Sequence, residues 1–142
     1  LPDHWVRKTF PWDHPERWDL DTLGFHKRLI AVRRSHPALQ TGDYTTLYAD
    51  PDVYAFARTL GAIMLITTIN IAASARTFDI PLADPLPAQP TTATILIATD
   101  GSPTTELVPG ALRLTLPPRN GAIFDVSPAP HDCDTTMSSR PL

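Results

Sequence analysis

The pattern of apolar and polar residues divides this chain into one helical stretch and a longer series of short strands. From Asp19 to His36 the apolar residues recur at helical spacing, with Asp19 in the position of an N-cap and basic residues toward the far end. His36-Pro37 ends the pattern, because a residue before proline disfavours helical geometry. The pattern therefore predicts one helix over residues 19–36.

The apolar arc of this predicted helix is wide. At 100° per residue it has two sides, with Phe25, Leu29 and Val32 on one and Leu23 and Ile30 on the other. His26 and Arg33 fall between them, and a buried guanidinium needs a carboxylate or several carbonyl groups as partners. We expect the helix to cover a larger layer of structure, with Arg33 buried and tying it to that layer.

From Asp43 to about Val126 the chain consists of short alternating stretches separated by turn residues, which predicts strands and no helix. The most continuous apolar run, residues 63–69, is expected to be a central strand. Asp50-Pro51-Asp52 predicts a hairpin break, and Asn120-Gly121 predicts a turn before the last strand. The seven or eight expected strands are enough for a small antiparallel β-sandwich.

Segments without periodicity flank the predicted helix and strands. Residues 1–18 hold all three tryptophans, Trp5, Trp12 and Trp18, among prolines, and are expected to dock on a neighbouring surface or to line a site. Residues 127–142 are polar and irregular, which predicts a disordered tail. The predicted organisation is a helix-containing unit at 1–40, a β-sandwich domain at 43–126 and a tail at 127–142.

Composition argues against several classes of partner. Twelve Lys and Arg against fifteen Asp and Glu give a net charge of −3, so the chain lacks the basic surplus of nucleic-acid-binding proteins. No apolar run approaches the roughly 20 residues that cross a bilayer, so no membrane partner is expected. The lone Cys133, which the polar tail would leave as an exposed free thiol, favours a reducing, cytoplasmic location. The N-terminus has neither a secretory pattern nor a starting Met, so we expect the chain to be part of a larger protein.

The residues do not suggest a catalytic constellation. Glycoside hydrolysis needs two carboxylates, about 5–5.5 Å apart for retention or roughly 6.5–9.5 Å for inversion. The two glutamates, Glu16 before the helix and Glu106 near a sandwich turn, are expected in different layers. Histidine spacings do not match a zinc motif, and Gly-x-Ser-x-Gly elbows and phosphate-binding glycine loops are absent from the sequence. We expect no catalytic residue, no metal and no cofactor in this chain.

The first forty-odd residues nevertheless carry a family resemblance. It rests on the run Asp3-x3-Arg7-Lys8-x-Phe10-Pro11-Trp12-Asp13, then Trp18, then Leu23-x-Phe25-x3-Leu29-Ile30-x-Val32-Arg33-x2-His36-Pro37-Ala38-Leu39-x2-Gly42. This order and spacing resemble the end of the catalytic (β/α)8 barrel in the α-amylase family of glycoside hydrolases, with the closest likeness to its neopullulanase, cyclomaltodextrinase and maltogenic amylase branch. The resemblance implies a mainly β fold, an antiparallel β-sandwich preceded by one α-helix that belongs to the end of the barrel.

The same resemblance implies what such a chain does. The family's catalytic Asp, Glu and Asp lie on earlier barrel strands, so residues 1–126 correspond to a non-catalytic C-terminal part that stabilises the barrel of an α-glucan-degrading enzyme. Its partners are then that barrel and, through it, an α-glucan oligosaccharide. Asp3 and Arg7 match an Asp and an Arg near the donor-side sugar subsites, where a carboxylate and a guanidinium suit sugar hydroxyls. A structural Asp–Arg pair that pins the loop explains them equally well, and Trp12 is explained by packing more readily than by stacking on a sugar.

A second class of function is a free-standing β-sandwich module that binds carbohydrate through exposed tryptophans. The wide apolar face of the helix favours the enzyme part instead, because a lone module has no use for such a helix at its N-terminus. Without a barrel that face would be bare, which predicts aggregation or a homodimer.

Overall fold

The computed structural model describes residues 9–81 and 92–127. A short 3-10 turn at Pro15–Arg17 precedes two helices, α1 (Leu20–Ser35) and the one-turn α2 (Ala38–Thr41). Eight strands follow: β1 (Asp43–Ala49), β2 (Val53–Leu60), β3 (Ile63–Asn70), β4 (Arg76–Pro81), β5 (Thr94–Ala98), β6 (Thr104–Val108), β7 (Ala111–Leu116) and β8 (Asn120–Asp125). Within these two ranges no helix is both long enough and apolar enough to cross a membrane.

The strands form two antiparallel sheets that face each other. One sheet has five strands in the order β1-β2-β3-β8-β5, and the other has three in the order β4-β7-β6. The core between them is almost entirely apolar: Val53, Ala55, Ala57, Met64, Ile66, Phe78, Ile80, Leu112, Leu114, Leu116, Ala122, Phe124 and Val126. The predicted fold, an antiparallel sandwich preceded by one main helix, is confirmed.

Helix α1 begins and ends within one residue of the prediction because its end signals are local. The Asp19 carboxylate accepts hydrogen bonds from the Thr22 backbone N–H at 2.9 Å and from the Thr22 hydroxyl at 2.7 Å. These bonds favour the ionised form, and the backbone bond contributes most to the lowered pKa of Asp19. At the other end, His36 is already extended and Pro37 follows it.

Gly42 connects the helices to the sandwich at a point of close backbone approach. A Cβ at this position would lie 2.5 Å from the Ala38 carbonyl oxygen and 2.6 Å from that of Thr59. The Gly42 carbonyl accepts from Arg58, at 3.1 Å from Nε and 2.7 Å from Nη2. A larger residue would push α2 away from strand β2, so glycine fixes how the helices sit on the sheet.

The predicted turn at Asn120-Gly121 is wrong. Both residues lie in β8, where Asn120 pairs with Asn70 of β3, and the turn comes just before them. Arg119 adopts the left-handed conformation in that turn, with φ of 48°. The Asn120 side chain is buried and donates to the Asp100 carbonyl. Asn120 therefore lies in the strand, although asparagine before glycine favours a turn.

Arg33 is exposed in the part of the chain that the structure describes, so it is not buried against the sandwich, and its burial against another layer stays a prediction. Its guanidinium donates to the Leu39 carbonyl, and its own carbonyl accepts from the Gln40 side chain at 3.0 Å. Arg33 therefore ties α1 to α2, which is a local role at the end of the helix.

Candidate interaction surface

The outer face of the five-stranded sheet is apolar, and helices α1 and α2 cover only its middle. The covered sheet residues are Leu65, Ile97 and Ile123, and the helix residues that pack on them are Phe25, Leu29, Val32, Ala38 and Leu39. Leu65 is fully buried under this cover. The first side of the predicted helical arc therefore packs against the sandwich, as expected of a helix that covers a sheet.

On one side of α1 the sheet face continues as an open apolar cleft of about 550 Å³. Phe25 and Leu29 form its helix wall, and Ile69, Ile71 and Ile97 lie on the sheet side. Ile69 is 42% exposed and Ile71 is 65% exposed. The cleft is thus an apolar surface next to the helix without a partner among the described residues.

The second side of the helical arc is bare. Leu20, Leu23 and Ile30 are exposed large apolar residues on α1. Single exposed apolar residues are ordinary, but here three lie on one helix, and Ile69 and Ile71 are exposed in the open cleft as well. Together, Leu20, Leu23, Ile30, Ile69 and Ile71 form what we call the apolar flank.

The outer face of the three-stranded sheet is polar by contrast. Arg113 on β7 makes a bidentate pair with Asp79 on β4, with Nε to Oδ1 at 2.8 Å and Nη2 to Oδ2 at 2.9 Å. Hydrogen bonding from Arg113 lowers the pKa of Asp79. Beside this pair, the hydroxyls of Thr77 and Thr115 lie 2.9 Å apart. Such a face is suited to water.

At the β1 edge of the five-stranded sheet the outer face carries a third kind of surface. Tyr44 and Thr46 on β1 lie opposite Arg58 and Phe56 on β2, and Tyr54 comes two residues before Phe56. The ring centroids of Tyr44 and Phe56 are 5.1 Å apart, and those of Tyr54 and Phe56 are 5.8 Å apart. We call Tyr44, Thr46, Tyr54 and Phe56 the tyrosine patch.

Three hydroxyl groups of the tyrosine patch are hydrogen-bonded to one another. The Tyr54 hydroxyl lies 2.9 Å from that of Thr46 and also contacts the Tyr44 hydroxyl. The pKa of Tyr54 is lowered, mainly by the bond from Thr46, and the pKa of Tyr44 is raised, mainly by its bond to Tyr54. In both contacts either oxygen can be the donor, so the three hydroxyls form a short hydrogen-bonded chain.

Trp12 and Trp18 of the N-terminal segment pack around Phe10. The rings of Phe10 and Trp12 lie 4.6 Å apart, those of Phe10 and Trp18 lie 5.3 Å apart, and the Trp18 indole N–H donates to the Pro11 carbonyl at 2.8 Å. Trp12 remains 71% exposed. That this segment docks on a neighbouring surface or lines a site stays a prediction, and Trp5 lies outside the described residues.

The structure leaves the predicted sugar contacts untested, because Asp3 and Arg7 both lie outside the described residues, as does Cys133. Of the two glutamates, Glu16 is in the 3-10 turn beside His14, and Glu106 is on β6 of the three-stranded sheet. Within residues 9–81 and 92–127, no three His, Cys, Asp or Glu side chains cluster in a way that could hold a metal ion. The surfaces that stand out among the described residues are the apolar flank and the tyrosine patch, and the alternation of residues along one strand does not show which side chains of neighbouring strands lie together.

Comparison with known proteins shows what this chain is similar to, although no protein-family model matches it. It is 47% identical over 57 residues to an amylopullulanase of Thermoanaerobacter thermohydrosulfuricus, which covers 40% of this chain and 4% of that enzyme. It is 33% identical over 64 residues to a cyclomaltodextrinase of Thermoanaerobacter pseudethanolicus, which covers 45% of this chain and 11% of that enzyme.

A solved structure extends the similarity over most of the chain. The native debranching enzyme of Nostoc punctiforme superposes with a TM-score of 0.69 at 38% identity, over 84% of this chain and 24% of that chain. The predicted relationship to α-amylase-family glycoside hydrolases is confirmed by these matches. The chain spans only a small part of the length of each of these enzymes.

Proposed function

We propose that this chain, a relative of α-amylase-family glycoside hydrolases, is the C-terminal part of an enzyme that hydrolyses α-glycosidic bonds in starch-like glucans. Its relatives are, by name, an amylopullulanase, a cyclomaltodextrinase and a debranching enzyme, and each is much longer than the matched region. In this proposal the chain itself is non-catalytic. Glu16 and Glu106 lie on different elements, the 3-10 turn and β6, so these two glutamates do not form the carboxylate pair that glycoside hydrolysis needs.

The observation that carries the proposal is the difference between the two outer faces of the sandwich. A polar face with a bidentate Arg–Asp pair is stable in water, whereas the apolar flank leaves large side chains hydrated at a cost. An interface that buries the flank would remove that cost. We assign the flank to contact with the catalytic barrel, so that α1 is held between the barrel and the sandwich.

The proposed contact gives the sandwich a structural role. Helix α1 packs on the sheet through Phe25, Leu29 and Val32 and presents Leu23 and Ile30 elsewhere on its surface. A helix that packs against the sandwich on one side and the barrel on the other is held in place by both, so the sandwich stabilises the part of the barrel that the helix contacts. The sugar contacts of Asp3 and Arg7 are a finer part of the same proposal, and they rest on the sequence resemblance alone.

A chimeric enzyme tests this proposal. This chain replaces the equivalent residues of the Nostoc punctiforme debranching enzyme, and the melting temperature and the hydrolytic activity are measured. We expect a folded, active chimera, because the matched region is 38% identical and superposes closely. Ile30→Glu in the chimera should lower the melting temperature, because it places a charge at the proposed interface.

Thr115→Glu is the matched control, since Thr115 lies on the polar outer face. It should leave the melting temperature of the chimera nearly unchanged. An Ile30→Glu chimera as stable as its parent would show that the apolar flank does not contact the barrel. Glycosidase activity of the 142-residue chain alone, removed by Glu16→Gln or Glu106→Gln, would contradict the non-catalytic assignment.

A further inference from the structure

We propose that the tyrosine patch is a binding site for a neutral carbohydrate, specifically an α-glucan chain. The patch lies at the β1 edge of the five-stranded sheet, and Tyr44 in it is 55% exposed. The choice of an α-glucan among neutral carbohydrates rests on the proposed function, whereas binding by the chain itself does not depend on the proposed contact with a catalytic barrel.

The aromatic rings of the patch supply the apolar part of such a site. Tyr44 is tilted by 31° to Phe56, and Tyr54 is tilted by 37° to Phe56, at centroid distances at which aromatic rings pack against one another. A pyranose ring presents C–H groups on its faces, and these stack on exposed aromatic rings. Tyr44 is the exposed ring of the three and offers contact to one sugar unit, while Phe56 and Tyr54 support it from the sheet.

The hydroxyls supply the polar part. Three hydroxyls joined by two hydrogen bonds leave one hydrogen free to donate, whichever way the bonds run, and their oxygens keep lone pairs free to accept. The patch therefore offers one donor and several acceptors beside an aromatic surface. Sugar hydroxyls both donate and accept, so adjacent hydroxyls of one glucose unit match this set.

The same hydroxyls argue against an apolar protein partner at this place. Burying three polar groups without new hydrogen bonds costs free energy, so a surface meant for apolar contact would carry isoleucine and leucine, as the apolar flank does. An ionic ligand is also disfavoured. The nearest cation on β2, Arg58, is already engaged by the Gly42 carbonyl through two nitrogens.

The patch is held in place by the sheet. Tyr44 and Thr46 sit in register with Arg58 and Phe56, and tyrosine has few rotatable bonds to freeze on binding. A glucan polymer offers many equivalent segments to the site. Even a weak site of this kind can therefore keep the protein close to the polymer, because a segment that dissociates is quickly replaced by a neighbouring one.

Affinity electrophoresis of the 142-residue chain tests the inference, with soluble starch or pullulan in the gel and hydroxyethyl cellulose as the comparison polymer. We expect retardation by the α-glucans and none by the cellulose derivative. Tyr44→Ala should raise the dissociation constant about tenfold, because it removes a stacking ring. Tyr54→Phe should raise it about threefold, because it removes one hydroxyl. Thermal melts of each variant separate loss of binding from loss of fold.

Two control variants make the test specific. Tyr48→Phe removes a hydroxyl from the same strand, one that donates to Asp50 instead, and should leave retardation unchanged. Trp12→Ala removes the most exposed aromatic ring of the N-terminal cluster and should also leave it unchanged. If Trp12→Ala abolishes retardation while Tyr44→Ala does not, the tyrosine patch is not the site.

Other outcomes also decide the inference. Equal retardation by starch and hydroxyethyl cellulose contradicts the specificity for an α-glucan, and no retardation of the parent chain contradicts the site altogether. In the chimeric debranching enzyme, Tyr44→Ala should still reduce retardation. If it does not, the patch is covered by the rest of the enzyme and the inference fails, while the structural role of the chain still stands on the melting temperatures of the chimera.

Discussion

The two outer faces of this sandwich are built on the same alternation of side chains but differ in what points outward. On the three-stranded sheet the outward residues include Thr77, Asp79, Arg113 and Thr115, which pair with each other. On the five-stranded sheet they include Leu65 under the helices and Ile69 in the open cleft. Both sheets are antiparallel, so the difference marks which outer face lies in water and which one the chain covers with its own helices.

The comparison also separates two degrees of burial on a single strand. Leu65 and Ile69 of β3 face the same side of the sheet, four residues apart, because side chains two residues apart share a face. The helices cover Leu65 fully and leave Ile69 42% exposed. The position of α1 thus decides which part of one apolar face is core and which part is available to a partner.

The largest expected effect comes from removing the covered residue. Leu65→Ala should destabilise the chain by about 2–5 kcal/mol, because it leaves a cavity beneath α1 and α2. Chemical denaturation followed by circular dichroism measures this loss. Ile69→Ala is the matched control, and it should cost much less in the isolated chain. Equal losses for the two variants would mean that the helices do not cover the sheet as the structure shows.

The next largest loss of stability is expected at Asn70, which links the two sheets. Asn70 at the end of β3 donates to the carbonyls of Pro117 at 2.8 Å and Ser74 at 3.1 Å, and accepts from the Ala72 N–H at 2.9 Å. It is almost fully buried. Asn70→Ala should cost about 1–3 kcal/mol, because buried backbone groups lose their partner. A thermal melt that moves by less than a degree would show that these groups find water or other partners.

Substitutions in the apolar flank should change the free energy of unfolding little, but they should strongly reduce self-association of the chain. The double variant Leu23→Glu, Ile30→Glu should change the free energy of unfolding by no more than about 0.5 kcal/mol, since both residues are exposed. It should nevertheless reduce aggregation or dimerisation of the isolated chain in sedimentation experiments. Thr77→Glu, Thr115→Glu on the polar face is the control. A parent chain that stays monomeric at high concentration would contradict an exposed docking surface.

Local features of this fold can be predicted from the sequence, whereas contacts between residues far apart in the chain cannot. The limits of α1 could be predicted because Asp19 and His36-Pro37 act through their immediate neighbours. The strand pattern could be predicted because alternation is a local property. The error at Asn120-Gly121 arose because a buried asparagine bonded to the Asp100 carbonyl twenty residues away, and no local pattern reveals such a bond. The partner that Arg33 has in this chain, the Leu39 carbonyl in the next helix, is likewise not revealed by the helical pattern.

The candidate surfaces were harder to predict than the fold. That α1 has two apolar sides follows from its sequence, but which side faces the sandwich depends on Leu65, Ile97 and Ile123, far along the chain. The tyrosine patch was missed altogether. Its signal was the alternation of Tyr54, Phe56 and Arg58 with smaller residues in β2, which does not reveal that Tyr44 and Thr46 of β1 lie beside them.

The smallest expected effect concerns the charge pair on the polar face. Because the Arg113 guanidinium lowers the pKa of Asp79, folding favours the ionised carboxylate. The stabilisation is therefore complete above the ordinary pKa of Asp79, near 3.8, and is lost as the pH falls through the lower pKa of the folded chain.

Asp79→Asn should lower stability slightly at pH 7 and hardly at all at pH 2. Added salt should weaken the difference, because both groups are exposed to water. Melting temperatures of the parent and the Asp79→Asn variant at pH 7 and pH 2, each in low and high salt, measure this dependence. A difference that grows as the pH falls would contradict the sign, and one that is large at pH 7 would mean that the polar face contributes more to the fold than its exposure implies.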